Sequence, residues 1–225
     1  MFRDLLRLPI GVLVLSLCMG LGTSAATVAV AVTSLAGEQL APDRSLATVP
    51  YGLQFVALMG SAVPLTMLMA RVGRKPVNIL ASLFGVGAGL VSALSVATES
   101  FVLLCAGHMM LGIFLAGLAS LRFAAIDRSP ADLREMAISL ALFGGVLAGF
   151  LGPTLARSAG VVCPFAGFVA PYLMLGFVCG IVVVILIFLP FPNDAETVRE
   201  AQAAKAKARA EGRRVKTEVL SNPLY

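Results

Sequence analysis

From residue 8 to residue 37 the chain carries no Asp, Glu, Lys or Arg, and five more such stretches follow, at 45–70, 76–98, 100–121, 136–156 and 158–193. Even the shortest, 136–156, is 21 residues long, and about 20 apolar residues suffice to cross hydrocarbon as helix. The pattern predicts an all-α integral membrane protein with spans at about 9–36, 46–70, 77–97, 101–123, 136–156 and 164–191, the last broken near Pro171. Charged positions collect between the spans and again over 193–225, where Ala, Lys, Arg and Glu dominate. In that segment Asp194, Glu196 and Glu200 precede Lys205, Lys207 and Arg209, an order that suits a helix dipole. It has almost no apolar stripe, so 193–225 is predicted to be a solvated cytoplasmic linker or tail following a 1–192 bundle.

Arg3 and Arg7 ahead of 12–17 imitate a signal peptide. Signal h-regions run roughly 7–15 residues, whereas this run continues to Gly37, so the expectation is an uncleaved first helix. With the N-terminus in the cytoplasm, Arg3, Arg7, Arg71, Arg74, Lys75, Arg122, Arg128, Arg134 and the seven bases of the tail fall inside. Only Arg44 and Arg157 fall outside. This split of the 17 basic residues matches the usual cytoplasmic bias of Lys and Arg. It predicts a cell (inner) membrane protein with both termini cytoplasmic.

Composition agrees: 59% of residues are hydrophobic and 13% charged, with a mean hydropathy of +0.95. No soluble core of this length needs so much apolar surface. The net charge of +5 is explained by topology, so nucleic acid is not an expected partner. Cys18, Cys105, Cys163 and Cys179 lack C-x-x-C spacing and read as packing residues. No Ser/His/Asp, Cys/His or His/carboxylate grouping lies within the spans, so neither an enzyme, a metal site nor a cofactor is expected.

Between the second and third spans, residues 66–76 read TMLMARVGRKP. Leu68, Arg71, Gly73, Arg74 and Lys75 fit the pattern G-x-L-a-D-R-x-G-R-[RK], which resembles the helix 2–3 loop of the major facilitator superfamily. Thr66 stands at that pattern's first glycine and Ala70 at its aspartate. A second resemblance lies in the fifth span, where Gly149, Gly152 and Pro153 sit in a stretch similar to the family's g-x-x-x-G-P-x-x-G-G. Gly152 and Pro153 match; Ala148, Ala156 and Arg157 depart. The resemblance implies a six-helix bundle built as a 3+3 inverted repeat, the N-terminal half of a secondary transporter. It implies alternating access for a small-molecule substrate and a second six-helix bundle: a C-terminal half, a separate partner or another copy.

The resemblance also implies a cytoplasmic gate at Arg71, Gly73, Arg74 and Lys75. With Ala70 unable to supply the acid, Arg71 or Arg74 is expected to pair with Asp127. His108 stands where the family's helix-4 motif has arginine, and is the one conventional proton carrier deep in a span. If transport is proton-coupled export, His108 is the coupling candidate in this half. Thr23, Ser24 and Thr27 share a helix face and, with Gln54 and His108, are expected to line a cavity closed by the second bundle, and otherwise to meet lipid. The alternative function is a non-transporting assembly or regulatory protein on the same bundle. A faint echo relates 57–71 to 141–157, ALMG…AR in one and ALFG…AR in the other. That is the correspondence an inverted repeat would give helices 2 and 5.

Overall fold

The structure, a computed structural model, describes residues 9–127, 129–162 and 167–189. Arg3, Arg7, Arg128, Cys163 and the 193–225 segment lie outside the described residues. Among the described residues there are six membrane-length apolar helices: α1 (Ile10–Leu40), α2 (Val49–Val72), α3 (Arg74–Ala97), α4 (Phe101–Asp127), α5 (Arg134–Val162) and α6 (Val169–Phe188). Helix ends and charge-free runs do not coincide: α1, α2, α4 and α5 run past the C-terminal ends of theirs, whereas α6 begins and ends inside 158–193, because hydropathy reports the thickness of hydrocarbon and not the end of backbone hydrogen bonding.

The differences from the expected spans have local causes. The basic stretch after Leu68 is not a loop: α2 continues through Arg71 and α3 already includes Arg74 and Lys75, leaving Gly73 as the whole connection. Gly73 has φ 96° and donates its N–H to the Met69 carbonyl, a backbone conformation natural only to glycine. At the same end of the bundle, α4 runs past Arg122 to Asp127, so the second basic loop shortens to a 3-10 turn at Ala131–Leu133. Pro171 does not break α6. It is the third residue of that helix, in the first turn, where a missing N–H costs nothing.

Packing follows a two-fold pattern. α1 packs most heavily on α5 and α2 on α4; α3 lies against both α4 and α6, and α1 also meets α6. Exchanging α1 with α4, α2 with α5 and α3 with α6 maps these pairs onto one another, as a 3+3 inverted repeat requires. Close approach at three of these crossings is made by glycine. A Cβ on Gly20 of α1 would lie 3.1 Å from the Gly144 carbonyl oxygen of α5, and one on Gly112 of α4 would lie 2.2 Å from the Gln54 carbonyl oxygen of α2. On the pseudo-axis, a Cβ on Gly89 of α3 would fall 2.5 Å from the Gly176 backbone of α6. Small residues at such contacts let dispersion and backbone proximity hold helices together where lipid removes the hydrophobic drive.

The main core lies among α1, α4 and α6 around Leu15, Cys18, Val28, Leu111, Phe114, Cys179 and Val182, all fully buried or nearly so. α1 is the most buried span and α2 the least. That asymmetry leaves α2 with one open apolar stripe, Gly52, Val56, Met59, Val63 and Met67, and α5 with another, Leu142, Val146, Gly149 and Pro153.

Candidate functional site

At the end of the bundle where α2 meets α3, Gly73 aims two successive side chains at two different helix ends. Arg74 pairs with Asp127, the last residue of α4. Lys75 donates from Nζ to the carbonyls of Ile187 and Leu189, 2.9 Å each, at the end of α6. Terminal carbonyls without helical donors carry the negative end of the dipole, and a cation there is favoured. Arg71 is exposed in the last turn of α2. Of the five residues expected at a gate, the structure thus joins Arg74 with Asp127, sends Lys75 to α6 and leaves Arg71 on the surface. Both partners of the Arg74–Asp127 pair are partly exposed, so it contributes only about 0–1 kcal/mol.

Beside this junction a cavity of about 440 Å³ opens between α2 and α4, lined by Thr66, Met69, Arg74, Ser120, Arg122 and small residues. The Arg122 guanidinium lies 5.0 Å from the centre of the Phe123 ring, within cation–π range. Behind Ser120, Asn78 of α3 accepts its hydroxyl at 2.8 Å, and the Asn78 Nδ2 has no partner among the described residues.

The polar positions deeper in the spans are placed differently from expectation. Ser24, Gln54 and His108 are 0%, 2% and 1% exposed, so in this single bundle they do not meet lipid. Neither the α2–α4 cavity nor an apolar one of about 580 Å³ between α3 and α6 is lined by Thr23, Ser24, Thr27, Gln54 or His108. The physical reason is that the hydroxyls satisfy themselves locally. Thr23 donates to Met19 O and Ser24 to Gly20 O, at 2.6 and 2.8 Å, the back-bonding by which short hydroxyl side chains enter helices. Gln54 Oε1 is buried without a partner among the described residues, a cost of about 1–3 kcal/mol.

Thr27 and Gly152 of the glycine–proline motif belong to one contact. Thr27 Oγ1 reaches both Ser24 O of its own helix (2.8 Å) and Ala148 O of α5 (3.1 Å). It fits because Gly152 has no side chain: a Cβ there would stand 1.7 Å from that oxygen. Gly149 and Pro153 lie on the adjoining, exposed side of α5, and nothing lies within 4 Å of a Cβ built on Gly149. Pro153, with no N–H, cannot donate to the Gly149 carbonyl, yet α5 continues through it.

His108 sits in a polar cluster in which two members escaped the sequence reading. Its Nδ1 is 2.9 Å from Leu104 O and its Nε2 2.6 Å from Thr33 Oγ1 of α1. The Tyr172 hydroxyl of α6 lies 3.5 Å from the same Thr33 oxygen, and its ring stands edge-on to the imidazole at 6.0 Å. A tyrosine in an otherwise apolar span was a usable signal, since a buried phenol needs a partner. Thr33 carried none, being one of several hydroxyls on α1.

On the far side of the bundle, Asp43 Oδ1 accepts from the Ser45 amide at 2.9 Å in the α1–α2 connection. That bond holds its carboxyl below the usual carboxylate range.

A family model described as Major Facilitator Superfamily matches residues 12–225. Among curated proteins the chain is similar to the riboflavin transporter RfnT of Brucella anthropi, with 30% identity over 162 residues. The match covers 72% of this chain and 41% of that protein, so the chain spans less than half the length of the curated relative it matches. No solved structure matches the chain.

Proposed function

The chain belongs to the Major Facilitator Superfamily, and on that premise we propose that it serves as the N-terminal six-helix half of a secondary transporter in the cell (inner) membrane. Its N-terminus is cytoplasmic, and the transporter exports a small organic solute by alternating access coupled to protons. The observation that carries this reading is the pair of open stripes on α2 and α5. They are the two least buried spans, they exchange under the two-fold packing pattern, and each carries glycine with open space around it: Gly52 and Gly60 on α2, Gly149 on α5. Glycine lets another helix approach closely, which suits a second bundle rocking against these helices around a midplane site. In this reading the Arg74–Asp127 pair and Lys75 belong to the cytoplasmic gate, biasing which way the cavity opens.

Riboflavin, the solute named for the Brucella anthropi relative, is the first substrate to assay. The test is flux into or out of liposomes holding this chain together with a second bundle, measured across a range of imposed pH gradients. Saturable, pH-dependent flux that becomes independent of pH in His108→Gln is the expected result. Flux indifferent to pH in the unaltered protein would overturn the coupling. A solute panel carried by no pairing of bundles would favour the alternative, an assembly or regulatory protein on the same scaffold.

A further inference from the structure

The hydrogen atoms at His108 can be counted. Leu104 O is a carbonyl and only accepts, so Nδ1, 2.9 Å away, carries hydrogen. Thr33 has one hydroxyl hydrogen and two claimants for it: Ala29 O at 2.5 Å in its own helix, and His108 Nε2 at 2.6 Å across the interface. A hydroxyl donates once. If Thr33 donates to Nε2, the ring is neutral, and Ala29 O keeps only its helical acceptor role. If Thr33 donates to Ala29 O, Nε2 must itself carry hydrogen to face the Thr33 oxygen at that distance, and the ring is an imidazolium. Every polar atom of the cluster is satisfied in both arrangements, and Tyr172 can donate to Thr33 Oγ1 in either.

We propose that Thr33 and His108 form a proton-binding site between α1 and α4 in which the Thr33 hydroxyl is the switch. Uptake puts a proton from water on the Nε2 lone pair and turns the Thr33 hydrogen from Nε2 to Ala29 O. Release reverses both moves, and no other bond changes. In the charged state the hydrogen bond across the helix interface runs from α4 to α1, with the Leu104 and Ala29 carbonyl dipoles aligned to stabilise the cation. In the neutral state it runs from α1 to α4 and is weaker, because bonds to a charged partner are about twice as strong. The proton therefore tightens the α1–α4 contact.

The neighbouring elements bring little competing charge to the ring. On α1, Glu38 pairs with Arg44; on α2, Tyr51 stacks edge-on against Phe55. Glu99 lies beyond the end of α3, and Cys105 is on α4 itself. Tyr172 of α6 is the titratable group whose ring meets the imidazole. This inference deepens the proton-coupled reading above, but its test needs no substrate.

The chain has one histidine, so imidazole ¹⁵N resonances of the full chain in lipid nanodiscs are unambiguous. At high pH the ring should show a protonated Nδ1 and an unprotonated Nε2, and on acidification a second protonated nitrogen. Thr33→Val keeps the side-chain shape and removes the switch. At a fixed pH within the transition it should lower the imidazolium-to-neutral ratio about fivefold, the difference between losing a charged and a neutral hydrogen bond, while Thr33→Ser should preserve it. A high-pH ring protonated on Nε2, a ring that stays neutral until the protein unfolds, or a Thr33→Val titration superimposable on the unaltered one would each overturn the site. If the resonances behave as expected but His108→Gln transports with an unchanged pH profile, the site stands and the coupling reading falls.

Discussion

Two residues at helix ends sit in the left-handed region for opposite reasons of chemistry. Gly73, with φ 96°, is the natural occupant of the one-residue α2–α3 connection. Glu99, with φ 52°, is not. It closes α3 in a Schellman arrangement, with the Ser100 N–H on Ser95 O and the Glu99 N–H on Val96 O, and that position usually takes glycine. A side chain there costs roughly 1–2 kcal/mol. Glu99→Gly is therefore expected to raise the unfolding temperature and Gly73→Ala to lower it. Unfolding in detergent can be followed by exposure of the buried Cys18 and Cys179 to a thiol-reactive dye. Asp43 gives a residue-scale pH effect. Its folded carboxyl is held low by the Ser45 amide, so this contribution is present above the ordinary carboxylate range and lost as pH falls through the lower folded value. Exchange of the Ser45 amide, measured by mass spectrometry with the intrinsic pH dependence divided out, should accelerate only below about pH 4. In Asp43→Ala it should be fast throughout.

At the scale of the helix, existence was legible and orientation was not. Every charge-free run became a helix because hydrocarbon leaves backbone polar groups no partner but one another. The ends drifted because Arg71, Arg74, Lys75, Arg122 and Asp127 are long or terminal side chains that reach water or each other without ending the helix beneath them. A helical wheel could place Thr23, Ser24 and Thr27 together on α1. It could not say that the patch faces α5 and the bundle interior, since that depends on Gly144 and Gly152 admitting α1 closely. Of the two pairings that the resemblance implied for Asp127, with Arg71 or with Arg74, the structure makes the second. The Thr33–His108–Tyr172 cluster was not legible, because it joins three spans that no sequence spacing relates. What the glycines do is testable by element. Gly89→Val should force α3 from α6 at their crossing, where backbone meets backbone, and destabilise the bundle by about 1–3 kcal/mol. The same change at Gly60, with nothing within 4 Å, should leave its thermal unfolding unchanged.

For the whole molecule, the two-fold packing pattern has a consequence beyond the bundle itself. It makes α2 and α5 equivalent, so whatever covers one open stripe should be matched by something covering the other, and a single partner lying across both satisfies the symmetry. Lipid could coat Val56, Met59, Leu142 and Val146 as well as protein could. It would gain nothing from Gly52, Gly60 and Gly149, and it could not donate a hydrogen bond toward the carbonyl that Pro153 leaves without its helical donor. A second bundle can do both. Substitution of Gly60 and Gly149 by Trp should therefore leave the isolated chain as stable as before while preventing its association with a second bundle and abolishing flux. The complementary expectation is that this chain, reconstituted at one copy per vesicle, moves no solute saturably, because one bundle supplies one wall of a midplane site. Single-molecule photobleaching can establish the copy number in each vesicle. Saturable flux from vesicles proven to hold one chain would remove the need for a partner, and a Gly60→Trp/Gly149→Trp chain that still transports with its partner would show that these stripes are merely lipid-facing.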